Sequence, residues 1–158
     1  MIAVSDTSPL CYLILIGKVD LLHKLLGQIV VPQAVVTELL HEDAPESVRS
    51  WAGHFPSWVS VPENPVGLRT PLAKLQAGEL SAILLAEALK AEIILLDEKS
   101  ARRVAAERGL VVTGTLGVLG DAARRGLIDL AAAIEHLRKT NFRYSPALLK
   151  ATLERFGP

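Results

Sequence analysis

Cysteine is nearly missing from this chain, aromatic side chains make up only 4% of it, and no apolar run reaches membrane-spanning length. Each scarcity removes a class of answer. A single cysteine, Cys11, allows neither an internal disulfide nor a thiolate metal cage, and packs as a small hydrophobe. The four histidines, His23, His41, His54 and His136, show no paired ligand spacing, which argues against zinc. Few aromatics exclude extensive base stacking, and Trp51 and Trp58 read as packing residues that flank a helix-to-strand turn. The longest apolar run, Leu10 to Ile16, is cut by Gly17 and Lys18, far short of the ~20 residues that a spanning helix needs. Met1-Ile2-Ala3-Val4 leads straight into Ser5 and Asp6 without the positive start of a secretory leader, so a cytoplasmic protein is expected. No nucleophile elbow is present, and Gly114-x-x-Gly117-x-x-Gly120 lacks dinucleotide-binding spacing.

What is present is apolar material for one core. Half of the 158 residues are hydrophobic, and residues 1–158 read as one domain. The net charge is zero but unevenly spread: residues 1–89 carry −4 and residues 90–158 carry +4. Short apolar runs of strand length occur at Ile2–Ser5, Gln28–Val31, Glu92–Leu96 and Leu110–Val112, each followed by helical punctuation. That alternation predicts a parallel sheet flanked by helices. Ser8 before Pro9 predicts a capped helix ending near Gly17, and Pro32 opens another over Gln33–Leu40. Further helices are expected over Glu79–Leu89, Lys99–Arg108, Thr115–Arg125, Leu130–Arg138 and Ser145–Phe156, with a loop at Ser60–Pro71.

In a parallel sheet, ligands gather beyond the carboxyl ends of the strands. Two predicted strands end in an aspartate, Asp6 and Asp97, and parallel strands put both on one edge. Glu38 and Glu79 stand in apolar helical surroundings, where an acid is rarely buried without a partner. If the four converge, each pair at ~4 Å costs about 4 kcal/mol at an effective dielectric of ~20. Protons could relieve this repulsion, and so could a hard divalent cation with its preference for oxygen ligands. Taken singly, each acid also suits an ordinary use: a cap, a turn, a helix-dipole contact or an exposed helix stripe.

The ordered segments Val4-Ser5-Asp6-Thr7-Ser8-Pro9-Leu10, Ile29-Val30-Val31-Pro32 to Glu38, Gly78-Glu79-x-x-Ala82-Ile83-x-Leu85-Ala86, Leu95-Leu96-Asp97-Glu98 and Gly114-Thr115-Leu116-Gly117-Val118-Leu119 resemble PIN-domain proteins. More narrowly, they resemble a prokaryotic subgroup of PIN-like nucleic-acid-binding proteins related to the VapC-like toxin ribonucleases. The resemblance implies a three-layer α/β/α sandwich with a central parallel sheet and a Mg²⁺- or Mn²⁺-dependent ribonuclease. It also implies the toxin of a type II toxin–antitoxin pair, with RNA as substrate and a small antitoxin protein as partner. Independently of it, Leu148, Leu149, Leu153 and Phe156 form an apolar stripe on the last helix, expected to close the core or to accept an antitoxin or a second copy in a homodimer. Position by position, Asp6, Glu38, Glu79 and Asp97 match the family's four acids. Two positions depart: Glu79 stands where aspartate is commoner, and Leu95-Leu96-Asp97 lacks the hydroxyl of the usual Ser-x-Asp or Thr-x-Asp.

Ser5, Thr7, Ser8, Glu98 and Thr115 are candidates to orient the carboxylates or phosphate. Lys99, Arg102 and Arg103, then Arg124 and Arg125, are candidates for RNA contact. The rival reading is a catalytically silent PIN-like module that binds RNA or a protein and uses its acids structurally. A phosphohydrolase with Asp6 as nucleophile fails, because position 8 is serine where an Asp-x-Asp motif is needed.

Overall fold

The computed structural model describes residues 1–63, 77–142 and 146–156. Most of the loop expected at Ser60–Pro71 lies outside the described residues. Five parallel strands form one sheet in the order β3-β2-β1-β4-β5: β1 (Ile2–Ser5), β2 (Gln28–Val30), β3 (Val59–Ser60), β4 (Ile93–Leu95) and β5 (Val112–Thr113). Around it lie α1 (Thr7–Leu15), α2 (Leu21–Leu26), α3 (Gln33–Leu39), α4 (Glu46–Gly53), α5 (Ala77–Leu89), α6 (Lys99–Glu107), α7 (Thr115–Arg124), α8 (Leu130–Arg138) and α9 (Pro146–Phe156).

Strand residues alternate between two separate cores, which is why the strand runs are apolar on both faces. Ala3, Ile29 and Leu95 pack with Leu10, Leu13, Leu119 and Leu137 from α1, α7 and α8. Val4, Val30 and Ile94 face the other way, against Ala82, Ile83 and Ala86 of α5 and Ala101 and Ala105 of α6. The result is the expected three-layer α/β/α sandwich.

Several boundaries differ from expectation, each for a local reason. α1 begins at Thr7 with Asp6 at its N-cap, so Ser8 lies inside the helix rather than capping it. Pro9 is still tolerated, because amides of the first turn have no partner within the helix. β3 follows the turn expected between Trp51 and Trp58, but its two residues carry too little pattern to bound a strand from sequence. α2, six residues long, has no sequence signal and α4, eight residues long, shows only at its end before that turn, because their stability comes from packing Leu22, Leu25, Val48 and Ala52 into the core. The apolar stripe expected on α9 divides, with Leu149 in the core and Leu148 and Leu153 exposed.

The strand order positions the site. After β1 the chain builds β2 and β3 on one side, then crosses to build β4 and β5 on the other. Neighbouring β1 and β4 therefore send their connections in opposite directions, and a crevice opens at their carboxyl ends.

Candidate functional site

Asp6 and Asp97 occupy that crevice. The Asp6 amide donates to the Leu95 carbonyl at 3.0 Å, and the Leu96 amide donates to Thr113 at 2.9 Å. The ladder thus holds its last rungs beneath both carboxylates. α3 brings Glu38 to the same edge, and α5 brings Gly78 and Glu79. Asp6 is 4% exposed and Glu79 8%, while Glu38 and Asp97 are half-buried.

Asp6 and Glu38 meet across Gly78. A Cβ built on Gly78 would stand 2.8 and 2.9 Å from the two Glu38 oxygens and 3.0 Å from Asp6 Oδ1. Only glycine leaves that space open. Glu38 is held there by two donors, the Gly78 amide to Oε1 at 3.2 Å and the Thr7 hydroxyl to Oε2. Asp6 sits at the N-cap of α1 but its side chain makes no capping hydrogen bond, so the capping use weighed from sequence does not account for its carboxylate.

Electrostatics link all four acids. Burial drives Asp6 up to about 7 from an ordinary 3.8, the Thr7 amide pulls the other way, and the charges of Glu79, Glu38 and Asp97 push it further up. Asp97 is stabilised differently. The Thr115 amide donates to its Oδ1 at 2.7 Å and the Thr115 hydroxyl to its Oδ2 at 2.6 Å. Burial raises Asp97 above the usual carboxylate range, while those two bonds and the Arg102 charge lower it.

The donor set suits a hard divalent cation, being all oxygen, with a gap between Asp6 and Glu38 where a side chain would otherwise stand. Among the described residues no three His, Cys, Asp or Glu side chains come together as a group that could hold a metal ion. The cradle is a two-carboxylate one, with Glu79 and Asp97 beside it.

The remaining predicted residues divide. Thr7 and Thr115 hold carboxylates, as just described. Ser5 is buried, and its hydroxyl donates to the Asp6 carbonyl at 2.9 Å rather than to any acid. Ser8 forms no side-chain hydrogen bond within the described residues. Glu98 is exposed and caps α6, accepting from the Ser100 amide at 3.4 Å and hydroxyl at 3.0 Å. Lys99 and Arg103 are exposed on α6, which starts at the acid edge. Arg102 turns inward and donates to the Leu96 carbonyl at 2.8 Å. Arg124 and Arg125 meet Asp121 at 2.6 and 3.6 Å, at the far end of a ten-residue helix. That end is about 15 Å from the acid edge at 1.5 Å per residue. Sequence reasoning missed Gly78 and Gly114 as parts of the site; the signal available was a glycine directly before Glu79 and before Thr115.

A family model described as a PIN domain matches residues 2–158. Comparison with curated proteins and with solved structures gave no match. PIN domains are in general nucleases, and they typically use divalent metals. With residues 2–158 inside that model, and with a five-stranded parallel sheet between two helical layers, the chain belongs to the PIN-domain family.

Proposed function

We propose that this chain is a Mg²⁺- or Mn²⁺-dependent endoribonuclease acting as the toxin of a type II toxin–antitoxin pair. The observation that carries the nuclease reading is the cradle at Gly78, where three carboxylate oxygens surround one point at 2.8 to 3.0 Å beside two further acids. Asp6 and Glu38 would hold the cation, with Glu79 and Asp97 as the adjoining ligands. When bound, the ion supplies Lewis acidity toward a phosphodiester and offsets charge developing on its oxygens. Thr7 and the Gly78 amide aim Glu38, and Thr115 aims Asp97. Asp6 must first give up its proton, which burial and its acidic neighbours make it keep up to about pH 7.

Lys99 and Arg103 are the cations best placed to meet an RNA backbone. The toxin role rests on the resemblance of the ordered motifs, and its partners are a small antitoxin protein and a second copy of the chain. One observation favours the rival, silent module: both Asp97 oxygens already accept from Thr115. Each oxygen retains a second lone pair, so ligation is still open to it.

The test is cleavage of RNA with Mn²⁺ or Mg²⁺, with and without chelator. Wild type should cleave, chelator should stop it, and Asp6→Asn and Asp97→Asn should each lose on the order of 100-fold, the upper end of what residues supporting a metal cost. Cleavage that survives in both variants sinks the nuclease site. Growth arrest on expression, relieved by a small protein encoded next to this chain, tests the toxin role separately.

A further inference from the structure

Beside Asp97, at the end of β4, stands a cation from the helix that follows it. That cation, Arg102, shares α6 with Lys99 and Arg103, yet it is half-buried while they are exposed. Its Nη1 donates to the carbonyl of Leu96, the residue just before Asp97. Gly114 makes this arrangement sterically available. A Cβ there would lie 2.6 Å from Asp97 Oδ1, 2.7 Å from Arg102 Nη1 and 2.8 Å from the Leu96 carbonyl. Carboxylate, guanidinium and strand end thus crowd one point that no side chain could share. Among the described residues the hydrogen bond of this guanidinium goes to the carbonyl, so its charge acts on Asp97 from the side. Thr115 approaches Asp97 from α7, and Arg102 from α6.

We propose that Arg102, anchored through Leu96 to the end of β4, is a positioning residue that fixes Asp97 against Thr115 in place of a hydroxyl at position 95, and that Gly114 is the residue that permits it. Leu95 is wholly buried in the core and has no group to offer Asp97. Arginine suits the task better than lysine, because one arm of its planar fork can be tied down while the charge stays beside the carboxylate. The consequence for ion affinity rests on the metal reading proposed above; the positioning itself does not.

The experiment compares full-length wild type with Arg102→Met, Arg102→Lys and Gly114→Ala. Three quantities are read besides the melting temperature: hydrogen exchange at the Thr115 amide without metal, Mn²⁺ affinity by calorimetry, and binding of labelled RNA in chelator. With Arg102→Met, Thr115 exchange should accelerate relative to other α7 amides, and Mn²⁺ affinity should fall about 10- to 100-fold, the usual loss when a residue behind a ligand is removed. RNA binding in chelator should not change. Arg102→Lys should recover part of the loss, and Gly114→Ala should reproduce it with the charge still present. Unchanged Thr115 exchange in Arg102→Met overturns the proposal. So does a fall in RNA binding with exchange intact, which would make Arg102 a phosphate contact. If wild type takes up no Mn²⁺, the metal reading fails, and Thr115 exchange alone decides the positioning.

Discussion

On the β1 side of the acid edge, Asp6 and Glu38 turn their oxygens toward one another across Gly78; on the β4 side, Asp97 is received by two donors and a cation. Both aspartates lose hydration through burial, and both are raised by it. Asp97 has that cost offset by two donors and a cation, Asp6 by the Thr7 amide alone. Asp6 meets three like charges and one amide, so its half of the edge must take up a proton or a cation to be stable. The edge therefore combines a finished half, preorganised by Thr115, with an unfinished half that a hard cation would complete.

The largest expected effect exposes the unfinished half. With Asp6 at about 7 when folded and 3.8 otherwise, the group is protonated in both states below the lower value and ionised in both above the higher one. Between them the folded chain keeps a proton that the unfolded chain has lost, so stability falls as pH rises through this window, by up to ~4 kcal/mol. Burial of Asp97 acts in the same direction. Metal-free protein should thus melt at a lower temperature at pH ~8 than at pH ~5. Asp6→Asn should flatten that profile and raise the melting temperature at the alkaline end. A lower alkaline melting temperature in Asp6→Asn would show that the crowding is not real. Added Mn²⁺ should stabilise wild type more at the alkaline end, because ligation needs the proton gone.

Thr115→Val tests the finished half, and its sign is opposite. Removing the hydroxyl takes one donor from a half-buried carboxylate and should cost about 1 to 3 kcal/mol of stability. Mn²⁺ affinity should weaken by about 10- to 100-fold, less than for loss of a direct ligand. If Thr115→Val proves as stable as wild type, Asp97 is not held as the hydrogen bonds imply. The two substitutions together separate a carboxylate that strains the fold from one that the fold supports.

How much of this was legible depended on where the physical signal lay. Asp6 and Asp97 could be read because each follows an apolar run of strand length, and parallel pairing then puts both on one edge. Glu38 and Glu79 could be read because acids in apolar helical surroundings demand a reason. Arg102 could not be told from Lys99 and Arg103, since all three lie within five residues of one amphipathic helix. Its inward turn depends on a carbonyl six residues earlier in sequence and on a glycine from another element. α2 was unreadable and β3 and α4 showed only as the turn between Trp51 and Trp58 for the same reason: short elements draw their stability from tertiary packing, which local pattern does not record.

The smallest expected effects concern the exposed cations, and they ask whether substrate follows the geometry of the edge. Lys99 and Arg103 lie on the helix that begins at Asp97, whereas Arg124 and Arg125 are at the far end of α7 and occupied by Asp121. Each phosphate contact contributes about 0.7 to the salt slope of single-strand binding. Lys99→Ala and Arg103→Ala should each lower the slope of log affinity against log salt by roughly that amount, uniformly across RNA sequences. Arg124→Ala and Arg125→Ala should leave it unchanged. If the pattern is reversed, RNA approaches along α7 rather than across the N-terminus of α6, and the basic contacts assigned to α6 belong to α7.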